Sequence, residues 1–65
     1  MEQKFWIEVV YSDDSRFGFY VEIEGKESAI LAELCMITRG TLMASNADKA
    51  VCYNLDGFDV CSYIR

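Results

Sequence analysis

Across positions 4–11, Lys-Phe-Trp-Ile-Glu-Val-Val-Tyr, six of eight side chains are β-branched or aromatic. Phe5, Ile7, Val9 and Tyr11 fall on one face and Trp6, Glu8 and Val10 on the other, the period-two pattern of a strand. A polar turn follows, Ser12-Asp13-Asp14-Ser15-Arg16, whose Asp and Ser side chains can bond their own backbone. Residues 17–24 alternate again, placing Phe17, Phe19, Val21 and Ile23 inside and Gly18, Tyr20, Glu22 and Glu24 outside. Strand, turn and strand predict a hairpin.

At Gly25 the period changes from two to about 3.6. From Glu27 to Ser45 the core-facing set is Ile30, Leu31, Leu34, Ile37, Thr38, Thr41 and Leu42. Ala, Leu, Met and Glu fill most of this stretch and are strong helix formers. Gly25 or Ser28 is the expected N-terminal cap, and Asn46 suits the left-handed position that closes a helix. Gly40 costs about 1 kcal/mol against alanine in a helix interior. A helix ending at Arg39 with a short strand at 41–45 is the alternative. The continuous helix is favoured because Thr41 and Leu42 extend the same apolar face.

Residues 50–54 and 58–64 form a second hairpin through Asn54-Leu55-Asp56-Gly57, Asp-Gly being a strong turn signal. A two-residue turn at Asp56-Gly57 sets Cys52 opposite Cys61. A type I turn with Gly57 as a bulge pairs Asn54 with Phe58 and sends the two sulfurs to opposite faces. Asn at the first turn position and Gly at the left-handed one favour the second arrangement.

The element order is therefore ββαββ, an α+β fold in which one helix packs on a four-stranded sheet, in a single domain over residues 1–65. The first and last strands, being richest in apolar side chains, are expected at the sheet centre. Pairing them in parallel gives strand order 2-1-4-3. That order resembles the β-grasp architecture of ubiquitin-like and immunoglobulin-binding bacterial modules, a likeness of element order that transfers no function. The all-antiparallel order 2-1-3-4 is the alternative.

Composition narrows the function classes. The 65 residues carry six bases, eleven acids and no histidine, a net charge of −5, and are 52% apolar. No apolar run approaches the ~18 residues that span a bilayer, and no signal-peptide pattern stands at the start, so a cytoplasmic protein with no membrane role is expected. Three cysteines without metal-site spacing read as small buried hydrophobes. Without histidine there is no Ser-His or Cys-His pair, and no glycine loop cradles a phosphate. No enzymatic activity, metal or cofactor is expected. Nucleic-acid binding is disfavoured because Trp6, Tyr20 and Tyr63, expected on the outer sheet face, are accompanied by Glu8, Glu22 and Glu24 instead of bases.

The helix's far side points to a binding role. Ala32, Met36, Gly40, Met43 and Ala47 line up in one stripe with Ala44 beside it, where a surface helix ordinarily shows charge. Gly40 and Ala44 would also let a second backbone approach. This predicts an interface, either in a homo-oligomer (a dimer) or with a protein partner. The alternative is an acidic inhibitor or decoy that holds a basic partner on the outer sheet face through Trp6, Glu8, Tyr20, Glu22 and Glu24.

The run Met36-Ile-Thr-Arg-Gly-Thr-Leu-Met-Ala-Ser45, with Tyr53-Asn-Leu-Asp-Gly-Phe58 after it, resembles short proteins of gut-dwelling anaerobic bacteria to which no activity is assigned. The resemblance covers the C-terminal half. It implies a bacterial accessory protein, of the kind carried on mobile elements, and no site residue.

Overall fold

The computed structural model describes residues 2–65; Met1, which begins the expected domain, lies outside them. Five elements follow one another: β1 (Glu2–Val10), β2 (Arg16–Glu24), α1 (Glu27–Ala44), β3 (Lys49–Asn54) and β4 (Asp59–Ile64). The four strands form one antiparallel sheet in the order β2-β1-β3-β4, and α1 lies against one of its faces, over β3, β4 and, less, β1.

The order corrects the β-grasp-like expectation 2-1-4-3 in favour of the all-antiparallel alternative. Ala50, Val51 and Cys52 of β3 are all buried, on both sides of the sheet, whereas Phe58, Ser62 and Ile64 around β4 are exposed. Compact apolar residues suit a strand covered on both faces, and counting apolar side chains gave too much weight to the large ones at the ends of β4.

Both hairpins turn the same way. Tyr11 N–H donates to Ser15 O and Asp14 N–H to Tyr11 O, each at 2.9 Å, with Asp14 in the left-handed region at φ 67°. In the second hairpin Asn54 N–H donates to Phe58 O and Gly57 N–H to Asn54 O, both at 3.0 Å, with Gly57 at φ 87°. Asn54 Oδ1 also accepts from the N–H groups of Asp56 and Phe58. This is the type I turn with a glycine bulge that the residue types favour.

The consequence drawn for the sulfurs does not hold. Tyr53 pairs with Asp59, but the register then shifts and Cys52 pairs with Cys61, leaving Val60 as an extra residue in β4. That bulge reverses the phase of the rest of β4. Cys61 joins Cys52 on the helix side, and Tyr63 pairs with Ala50 and packs against the core instead of standing on the outer face. Nothing in the local residue types announces a bulge at a valine; burial of Val60 and Cys61 against α1 rewards it.

Gly40 lies within the unbroken helix, as favoured. The helix ends depart from expectation. Lys26, with no side-chain bond, holds the N-terminal cap position instead of Gly25 or Ser28. At the other end Ser45 is extended, and Asn46 is not left-handed. Arg65 supplies the closure: its guanidinium donates to the carbonyls of Leu42, Ser45 and Ala47. A cation there also complements the negative end of the helix dipole.

Two apolar clusters fill the space between the layers. Phe5, Ile7 and Ile23 meet Ile30, Leu34 and Cys52, while Val9 meets Leu42, Ala47 and Ala50. Thr38 is fully buried and donates its hydroxyl to Leu34 O at 2.7 Å, the ordinary solution for a threonine on a core-facing helix side. Leu31, expected in the core, is exposed.

Candidate functional site

The outward flank of α1 carries Ala32, Met36, Gly40, Met43 and Ala44, all exposed. Met36 and Met43 show 74% and 71% of their surface. A Cβ built on Gly40 would meet nothing within 4 Å, so the helix backbone is bare there. Ala47 does not belong to this flank. The helix stops at Ala44, the chain dips beneath it, and Ala47 is fully buried beside Leu42 and Ala50.

On the outer sheet face Trp6 and Tyr20 pack edge to face, ring centroids 4.7 Å apart, and Lys4 Nζ sits 5.0 Å over the Tyr20 ring. Gly18 makes room for the indole, since a Cβ there would lie 2.1 Å from Trp6 Cζ2. The acids of this face are largely answered from within. Glu8 takes Arg16 at 3.3 Å and the Trp6 indole N–H at 3.4 Å, and Glu22 takes Lys4 at 3.8 Å. Among the described residues only Glu24 of the three has no ion pair. The face is thus a mixed aromatic and ion-paired surface, poorer in free negative charge than the sequence suggests.

The fold brings the three cysteines together near the middle of the core, Cys35 from α1, Cys52 from β3 opposite Ile7, and Cys61 from β4 beside Thr38. Cys52 is buried, Cys35 and Cys61 are half-buried, all are free thiols, and Cys61 Sγ lies 3.7 Å from Thr38 Oγ1. Burial first, and the neighbouring Cys61 second, push the Cys52 thiol up to about 11. Burial likewise raises Cys61. A thiol held protonated is a poor nucleophile and a poor metal ligand, and no three His, Cys, Asp or Glu side chains among the described residues are arranged so that they could hold a metal ion. Stability is therefore expected to fall as pH rises from about 9 to about 11, because the unfolded thiol ionises first and the folded one resists. Urea titrations across that range check this, and Cys52→Val should flatten the slope. An unchanged slope would place the alkaline sensitivity elsewhere.

A half-open cleft of about 230 Å³ lies between the first turns of α1 and the sheet, with Phe5, Ile30 and Leu31 among its walls and Gln3, Glu27 and Asn54 at its rim. Two larger but shallower hollows, of about 360 and 350 Å³, lie on the surface beside Tyr11 and Phe17 and beside Lys4 and Leu55. No described helix is long and apolar enough to cross a membrane.

The feature missed in the sequence is the uncovered end of β2. Phe17 and Phe19 point to the helix side as expected, yet 67% and 43% of their surface is exposed. Phe17 is in edge contact with Tyr11 at 5.9 Å. Width arithmetic would have found it: a helix about 10 Å across cannot roof four strands spaced about 4.8 Å apart. Compared with protein-family models, with curated proteins and with solved structures, the chain matches none.

Proposed function

We propose that the chain is a small non-enzymatic binding module that docks on another protein through the outward flank of α1. The observation that carries this reading is the pair of methionines, Met36 and Met43, standing almost fully in water on a helix whose opposite side is already packed. Glu33 and Arg39 border the flank without crossing it. Methionine is flexible and polarisable and serves adaptable protein-binding surfaces. Burying both side chains contributes roughly 1.5–3 kcal/mol each.

Photo-methionine incorporated at positions 36 and 43 tests the proposal in cells of the native host. Crosslinks from these positions to one partner protein are expected, and Met36→Glu with Met43→Glu should abolish that partner's co-purification while leaving thermal unfolding unchanged. Retention of the same partner by the double variant would refute the reading. The acidic-decoy reading has less support, since Arg16 and Lys4 already answer Glu8 and Glu22.

A further inference from the structure

The two edges of the sheet are unlike. β4 is six residues long and its pairing is interrupted by the Val60 bulge. β2 is nine residues long, pairs with β1 without a break from Glu24 to Arg16, and contains no proline or bulge. A long, regular edge with one row of unpaired backbone groups is a template for another strand.

The row can be named. The bonds of the first turn make Tyr11 and Ser15 a hydrogen-bonded position. Alternation along an antiparallel ladder then turns the N–H and C=O of Phe17, Phe19, Val21 and Ile23 toward β1. Those of Arg16, Gly18, Tyr20, Glu22 and Glu24 face the free side.

We propose that this edge pairs with a second copy of the chain, β2 against β2, around a two-fold axis at Tyr20, giving one continuous antiparallel sheet across the dimer. This register alone matches all nine residues of β2 with all nine of the other copy. It is also self-complementary in charge. Arg16 stands opposite the partner's Glu24 at both ends, and Glu22 stands opposite the partner's Gly18, so no two carboxylates meet. Arg16 keeps spare N–H donors beyond its bond to Glu8. On the helix side Phe17 meets the partner's Ile23 and Phe19 meets the partner's Val21, which gives the two exposed phenylalanines cross-strand neighbours. A slip of two residues either way brings Glu24 beside the partner's Asp14, or Arg16 beside the partner's Lys26. The axis is perpendicular to the sheet, so both α1 flanks end on the same side. The inference does not depend on what those flanks bind.

Sedimentation equilibrium of the full chain, with backbone amide exchange read residue by residue, tests it. A dimer of twice 7.4 kDa is expected at tens of micromolar, with the amides of Gly18, Tyr20 and Glu22 protected as well as those of Phe19 and Val21. Glu22→Pro removes a free-side N–H, no backbone bond to β1 and one exposed ion pair with Lys4; it should give a folded monomer. Glu24→Arg should weaken the dimer at least tenfold, and adding Arg16→Glu together with Glu8→Gln, which removes the carboxylate that Arg16 answers within its own chain, should recover most of that loss. A monomer at several hundred micromolar overturns the proposal. So does a dimer in which Tyr20 and Glu22 exchange freely, or one that Glu22→Pro leaves intact and Met36→Glu dissociates. Should Glu22→Pro unfold the chain, failure of the charge swap to recover affinity refutes the register by itself.

Discussion

Leu34→Ala is expected to destabilise the fold by about 3–4 kcal/mol, a fall in melting temperature of more than about 15 °C for a chain of this length. Leu34 is almost wholly buried and sits in the larger cluster with Phe5, Ile7 and Cys52. Alanine is the best helix former, so the change leaves α1's local preference intact and isolates the cavity. Leu31, one turn earlier on the same apolar stripe, serves as the control. It is exposed, and Leu31→Ala should change stability by no more than about 0.5 kcal/mol. Calorimetry of the two variants reads the rotation of the helix directly. Equal costs would mean that Leu31 is packed as deeply as Leu34, against the exposure seen here.

Gly18→Ala and Gly18→Val should both cost about 2 kcal/mol, because overfilling a packed site forces its neighbours out of place. The added Cβ would overlap the Trp6 indole, which is held by the Tyr20 ring and by Glu8. Ordinary strand propensity predicts the opposite sign for valine, since glycine weakens a strand interior. The double-mutant cycle separates the two: on a Trp6→Ala background the penalty should vanish and Gly18→Val should become stabilising. The emission of Trp6, the single tryptophan, should shift to the red in both single variants as the indole swings into water. A penalty that persists without Trp6 would assign it to the backbone at position 18.

Much of the architecture was legible along the chain because it depends on period and on turn chemistry, which are local. Alternation over 4–11 and 17–24 marked the first hairpin, the 3.6 spacing from Ile30 to Leu42 marked the helix and carried it through Gly40, and Asn54 with Gly57 marked the second turn and its type. The flank bearing Met36 and Met43 was legible for the same reason, since a helix's far side follows from its near side. Three things were not. Ala47 reads as one more step of the stripe until the helix is seen to stop at Ala44. The pairing of Cys52 with Cys61 depends on a bulge at Val60 that only contact with α1 makes favourable. The closure of the helix end by Arg65 joins residues about twenty positions apart, and no window along the chain contains both.

Sequence alone thus determined the five elements, their order and the faces that alternate within the first hairpin, because every residue's preference for strand, turn or helix is expressed within a few positions of itself. Tertiary structure decided which strand sits at the centre, on which side of the sheet the last strand's cysteine and tyrosine fall, and which edge is left unroofed. Those outcomes are set by a competition for cover: one helix can shield only part of a four-stranded sheet. Ala50, Val51 and Cys52 took the central place, and Phe17 and Phe19 were left at the margin.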